Sequence, residues 1–230
     1  MGEKNVIPTV LSWFPIRLVL KYISQRLDHS EVFPVPKQYF AESPIDMAGY
    51  TLFTGRARGS EFYWQGRALD YDVEVKVISF KDHHALTHRT KPVIKILTPE
   101  ELEDANAAVE QAKKILDRKF PCANEYTSNL VRRSYHVIKD ASTVLAITTV
   151  KNGKVQGGTA WGVVMADCKG KDVYVYDLNE HVWKKYKNGE LHRCDIPTLS
   201  AQFAGIGSRI LTEEGKRAID LVFQFNFQAS

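Results

Sequence analysis

Three glycine-containing loops carry the residues of this chain best suited to chemistry: Thr54-Gly55-Arg56-Ala57-Arg58-Gly59-Ser60, Gln156-Gly157-Gly158-Thr159 and Gly205-Ile206-Gly207-Ser208-Arg209. Each follows a run of β-forming residues and precedes a helical pattern. Glycine lets a backbone approach a ligand closely, the unpaired N–H groups of a helix start favour negative charge, and Thr54, Ser60, Thr159 and Ser208 add hydroxyl donors. Arg56, Arg58 and Arg209 supply countercharge. The chemistry that fits is capture of a phosphate-bearing small molecule. No Gly-Lys-Ser/Thr ending makes any of these a P-loop, and none carries the full dinucleotide fingerprint, so no cofactor is expected.

The elements that must position these loops follow a βαβ cadence. Strands are expected at Tyr50 to Thr54, Val73 to Phe80, Ser142 to Thr149, Asp172 to Leu178 and Gln202 to Ile206, and helices end near Asp70 and Asp167. One helix opens at Thr98, with Pro99 at its first position and Glu101 completing a capping box. Its apolar stripe of Leu102, Ala105, Val109, Ala112 and Leu116 predicts a continuous helix to about Lys119, before Pro121. Further helices are expected from about Ser128 to Lys139 and from Thr212 to Phe223. Ser142 to Thr149 is a continuous apolar run, as in a strand buried on both faces of a parallel sheet. Asn188-Gly189 between Trp183 to Tyr186 and Glu190 to Arg193 signals a β-hairpin excursion. The fold class is α/β: a Rossmann-like, mostly parallel sheet flanked by helices. Residues 1–45, with a helical stretch around Thr9 to Leu27 and the extended Phe33-Pro34-Val35-Pro36, read as an N-terminal arm, and 46–230 as the domain. In an open sheet of this kind the three loops meet at the carboxyl ends of the strands.

Composition narrows the class. The 230 residues are 44% hydrophobic and 25% charged, enough for a buried core, which excludes a disordered chain. Three scattered cysteines offer no disulfide framework and fit a reducing compartment, so a cytoplasmic location is expected. The net charge of +4, from 31 basic and 27 acidic residues, suits an anionic ligand without demanding nucleic acid. The apolar stretch from Val6 to Ile23 is interrupted by Pro8, Pro15, Arg17 and Lys21, so no membrane span is expected.

Phe53-Thr54-Gly55-Arg56-Ala57-Arg58-Gly59-Ser60-Glu61 resembles the SGGA-type loop of the SLOG superfamily, the Rossmann-like group that includes the LOG phosphoribohydrolases and the DNA-processing protein DprA. Gly205-Ile206-Gly207-Ser208-Arg209 is similar to its Gly-Ser-Arg exit loop. Ala141 to Thr149 followed by Gly157-Gly158-Thr159 resembles its Gly-Gly-Thr element, which is also similar to nucleoside 2-deoxyribosyltransferases. The resemblance covers roughly Tyr50 to Phe223. The Gly-Ser-Arg loop comes last here, where familiar members carry it first, which implies a circular permutation and predicts that Gln202 to Ile206 pairs beside Tyr50 to Thr54. The resemblance also implies that Arg133 contacts ligand, and it brings a homodimer into view.

The catalytic carboxylate of such hydrolases and transferases has no counterpart in Thr159-Ala160-Trp161-Gly162-Val163-Val164. Glu61 and Asp140 are the carboxylates that could replace it, although Glu61 also fits an acidic first-turn residue favoured by the helix dipole. His84 and His88 would share a helix face beside His83, but only Asp82 adds to that set, and no metal is expected. Tyr63, Trp64 and Trp161 read as core packing rather than a wall for a base. The sequence therefore points to binding or sensing of a nucleotide or nucleoside-phosphate-like ligand. An N-glycosidic-bond hydrolase or transferase is the first alternative and a DprA-like DNA-binding protein the second.

Overall fold

Six parallel strands lie side by side in the order Val93–Leu97, Glu74–Phe80, Thr51–Thr54, Gln202–Gly207, Thr143–Thr148 and Asp172–Asp177, and the sheet continues with Val182–Lys187, antiparallel to the last of these, and Glu190–Arg193, antiparallel to its own neighbour. The structure, a computed structural model, describes residues 49–83 and 92–227. In chain order the strands are β1 (Thr51–Thr54), β2 (Glu74–Phe80), β3 (Val93–Leu97), β4 (Thr143–Thr148), β5 (Val150–Lys151), β6 (Lys154–Val155), β7 (Asp172–Asp177), β8 (Val182–Lys187), β9 (Glu190–Arg193) and β10 (Gln202–Gly207). The helices are α1 (Ser60–Asp70), α2 (Pro99–Glu103), α3 (Asn106–Leu116), α4 (Glu125–Ile138), α5 (Thr159–Cys168) and α6 (Glu213–Phe227). The short pair β5-β6 forms a separate hairpin.

β10 lies between β1 and β4, with Thr51 opposite Gln202 and Phe203 opposite Thr143. The neighbour relation expected from the loop order is therefore present. From β1 the chain winds one way, to β2 and β3, and from β4 it winds the other way, to β7. The direction reverses around β10, and an open α/β sheet has its crevice at such a switch point.

Alternation along the strands sends side chains into two apolar layers. Phe53, Ile78, Val144, Ala146, Ala204 and Val175 face a core completed by α2 to α5, with Leu102, Val109, Val131, Val137 and Met165. Leu52, Val77, Leu145, Ile147 and Phe203 face the other, where Trp64 and Ala68 of α1 meet Ile219, Val222 and Phe223 of α6. Trp64 is fully buried and its ring lies 5.8 Å from Phe223, while Trp161 packs 6.1 Å from Phe120. Both are core residues.

Three expectations need correction. β3 was not foreseen, because Val93 to Leu97 is a five-residue run squeezed between a polar stretch and a strong capping box. The helix expected from Thr98 to Lys119 is broken at Asp104-Ala105, where the Ala105 N–H bonds back only three residues, to Leu102, and a fresh helix begins at Asn106. α4 starts one turn early because Asn124 caps it, its side chain accepting from the Thr127 N–H at 2.8 Å. The arm read over residues 1–45 lies outside the described residues. None of the described helices is long and apolar enough to cross a membrane.

The packing of α1 onto β10 needs a residue without a side chain at Gly205, where an added Cβ would sit 2.5 Å from the Trp64 ring. Gly205→Ala is expected to destabilise the protein by about 1–3 kcal/mol, as over-packed cores do, measured by urea unfolding.

Candidate functional site

The exit loops of β1 and β10 are fastened to each other at the carboxyl edge. Ser60 donates from both its backbone N–H and its hydroxyl to the Ser208 carbonyl, each at 3.1 Å, and the Ser208 N–H donates to Ile147 of β4 at 2.8 Å. The Thr54 hydroxyl donates to the Gly205 carbonyl at 2.6 Å. Gly59 holds φ at +87°, and an added Cβ would lie 2.4 Å from the Arg209 carbonyl oxygen. A Cβ on Gly207 would lie 2.5 Å from the Ile147 carbonyl oxygen and from the Ser60 side chain. Glycine is required at both positions because two loops and a strand end converge there.

This revises several roles. Thr54, Gly59, Ser60 and Gly207 were expected to face a ligand, yet their hydroxyls or bare Cα positions are used by the neighbouring loop. Gly55 is filled in the same way: its missing side chain leaves space occupied by Arg133 and Glu61, whose nearest atoms would lie 1.6 and 2.2 Å from an added Cβ.

Glu61 and Arg133, from α1 and α4, form a two-pronged ion pair, with Nη1 to Oε2 and Nη2 to Oε1 both at 2.9 Å. The residues are only 5% and 4% exposed, so each charge depends on the other. Oε2 also accepts the Ala57 N–H at 2.9 Å, while Gln65 donates to the Gly55 carbonyl at 2.7 Å. Together these contacts set the path of the first loop. Both oxygens of Glu61, a carboxylate the sequence offers as a catalytic candidate, are engaged in these contacts. Asp140, the other carboxylate offered by the sequence, lies in the exposed turn between α4 and the amino end of β4, at the sheet edge opposite the glycine loops. Adjacent Arg132 turns elsewhere, donating to Asn106 and Asn129.

Groups that remain open to solvent at this edge define a cleft of about 520 Å³ lined by Ala57, Arg58, His83, Tyr126 and Arg209. Arg58 and Arg209 are exposed, and Arg56 is half-buried, with an Nε that has no hydrogen-bond partner among the described residues. His83 follows the end of β2. Its Nδ1 lies 3.1 Å from the Ser79 hydroxyl and its ring stacks on Phe80 with centroids 5.0 Å apart. Burial pushes its pKa from the ordinary 6.5 down to about 4, aided by the guanidiniums of Arg133, Arg56 and Arg209 and opposed by Glu61. His83 and Tyr126 escaped the sequence reading as site residues. Tyr126 carries no local signal, and His83 was grouped with His84 and His88, which lie outside the described residues.

The second glycine loop sits at the same carboxyl edge, at the start of α5. Gly157 and Gly158 are exposed, nothing lies within 4 Å of an added Cβ on either, and Thr159 is buried. Arg118 donates to the Gly157 carbonyl at 2.7 Å. Asp177, unforeseen, ties the β5-β6 crossover by accepting from the Val150 and Asn179 N–H groups and from Lys184 at 2.9–3.1 Å. Burial alone would raise its pKa, but these donors hold it below the usual carboxylate value. Among the described residues no cluster of His, Cys, Asp or Glu could hold a metal ion.

Two outcomes follow for stability. Arg133→Met alone should cost about 3–5 kcal/mol in urea unfolding, because Glu61 is left buried and unpaired, and adding Glu61→Leu should recover most of that loss. His83 is neutral in the folded protein down to about pH 4, whereas an unfolded histidine protonates near 6.5. Its contribution to stability is complete above pH 6.5 and is lost as pH falls toward 4. Unfolding curves at pH 7 and pH 5 should differ more for the native protein than for His83→Gln. Comparison of the chain with models of known protein families, with curated protein sequences and with solved structures finds no match in any of the three.

Proposed function

We propose that the cleft at the carboxyl edge binds or senses a nucleotide or a nucleoside-phosphate-like molecule. The observation that carries this reading is the position of the cleft: about 520 Å³ of space lined by Arg58 and Arg209, where the winding of the sheet reverses. That volume falls within the range of small-molecule sites, and the switch point is where open α/β sheets hold their ligands. Arg58 and Arg209 reach an anion from two loops that are bonded to each other, so the spacing of their backbones is fixed before ligand arrives. Tyr126 and His83, whose ring is backed by buried Phe80, add flat ring surface beside those charges. The SLOG resemblance of the three loops supports the same class of ligand.

Binding is favoured over cleavage of an N-glycosidic bond. Such cleavage uses a carboxylate against the sugar carbon, and Glu61, the acidic residue at the start of α1, has both oxygens committed to Arg133 and Ala57. Duplex recognition fits less well: Arg67, Lys95, Lys113, Lys185 and Lys216 all pair with acidic neighbours, which interleaves the surface charge.

Calorimetric titration with AMP and ADP-ribose tests the reading, with chromatography to detect released base. AMP is expected to bind without base release. Arg58→Ala and Arg209→Ala should each weaken it about tenfold or more, as expected when a charged hydrogen bond worth roughly 1.5–3 kcal/mol is lost. Absence of binding by both compounds overturns the reading, and base release that Glu61→Gln abolishes replaces it with the hydrolase.

A further inference from the structure

His83 stands where the charges of the cleft converge. It lines the cleft while remaining 8% exposed, and its ring is held between the plane of Phe80, 5.0 Å away, and Tyr126, 6.2 Å away. Ser79 engages Nδ1 at 3.1 Å, which fixes the ring within its own strand and turn. Among the described residues, the charged groups acting on it come from four places: Arg133 from α4, Glu61 from α1, Arg56 from the β1 loop and Arg209 from the β10 loop. Arg58 lines the same cleft. Glu61 and Arg133 cancel each other in their two-pronged pair. Among the described residues, Arg56 and Arg209 then add positive charge around the imidazole, with Arg58 on the same cleft, and the Arg56 Nε has no hydrogen-bond partner.

We infer that His83, lining the cleft beside its arginines, is the proton-coupled selector of this cleft: it accepts a proton from solvent as a compact dianion enters, and so favours a terminal phosphate monoester over a singly charged phosphodiester. The inference rests on the nucleotide reading and adds the charge state that the cleft recognises. Burial holds the imidazole neutral, and the guanidiniums of Arg133, Arg56 and Arg209 make a further positive charge there less favourable still. A dianion offsets most of the guanidinium charge and so removes that part of the cost of protonating the ring. A diester, with one charge, offsets less of the guanidinium field and draws less proton onto the ring. By linkage, whatever raises the proton affinity of His83 is bound more tightly as pH falls through the range in which the ring titrates.

The test is calorimetry of AMP binding at pH 6.5 in two buffers of different ionisation enthalpy, which counts the protons taken up per ligand. A ring with a pKa of about 4 is almost wholly neutral at that pH. If bound AMP restores the ordinary value of 6.5, the ring takes up about half a proton. AMP carries its own titrating phosphate, so the readout is the difference between the native protein and His83→Gln, expected to be about half a proton. The NMR titration of the His83 ring in the native protein, with and without saturating AMP, gives the same quantity without a variant, and its midpoint should rise by about 2 units or more. Adenosine 3′,5′-cyclic monophosphate is the diester probe and should bind at least about tenfold more weakly than AMP at pH 6.5, a preference that shrinks in His83→Gln. If AMP does not bind, the nucleotide reading itself fails. If AMP binds with equal proton uptake in both proteins and an unmoved His83 midpoint, or if the cyclic diester binds as tightly as AMP, the nucleotide reading stands and the role of His83 is overturned.

Discussion

A carboxylate and a guanidinium removed from water beneath Gly55 set the geometry of the whole carboxyl edge. Glu61 and Arg133 come from helices on opposite faces of the sheet, so their pair ties the α1 layer to the α4 layer past the end of β1. An ion pair at such burial adds little to stability compared with well-packed apolar residues, but it fixes orientation because each partner has only one acceptable position. Oε2 then takes the Ala57 N–H, and the loop that carries Arg56 and Arg58 inherits its path from that contact. Gly55 is bare because the pair occupies its side-chain space. The loop therefore owes its shape to charge neutralisation rather than to bound phosphate.

Legibility in the sequence divides along the range of the signal. Buried strands such as Thr143–Thr148 and the capping box at Thr98 announce themselves within a few residues, through apolar continuity and cap chemistry. So did the three loops and their arrival at one sheet edge. The roles of individual loop residues were less legible. Glycine followed by serine looks the same whether the bare Cα faces a phosphate or a neighbouring carbonyl, and Gly59 and Gly207 meet carbonyls. The partnership of Glu61 with Arg133 spans 72 residues and leaves no mark on local pattern. Glu61 satisfied the rule for an acidic first turn, and Arg133 was singled out only through a family likeness. The break at Asp104-Ala105 was hidden because the apolar stripe continues across it.

The division of labour among the glycines has a physical logic. At the β1 and β10 loops they allow close packing and leave the reaching to arginine side chains, which are exposed at positions 58 and 209. At the α5 start the side-chain positions of Gly157 and Gly158 face open space, and the Gly157 carbonyl accepts from Arg118. One rim of the carboxyl edge is thus built from long cationic side chains and the other from open main chain.

The position of β10 has a consequence for how the sheet comes together. Every other strand precedes it in the chain, yet it pairs with both β1 and β4, joining Thr51 to Gln202. Until it is placed, β1 and β4 are two open edges of apolar strands, each a template for the wrong partner. Loop closure over that distance is slow compared with forming hairpins or helices, so the pairing of β10 with β1 and β4 is among the long-range contacts that set the pace of assembling the sheet. Loss of this strand would divide the sheet through its middle, where loss of β3 or β9 would only trim an edge.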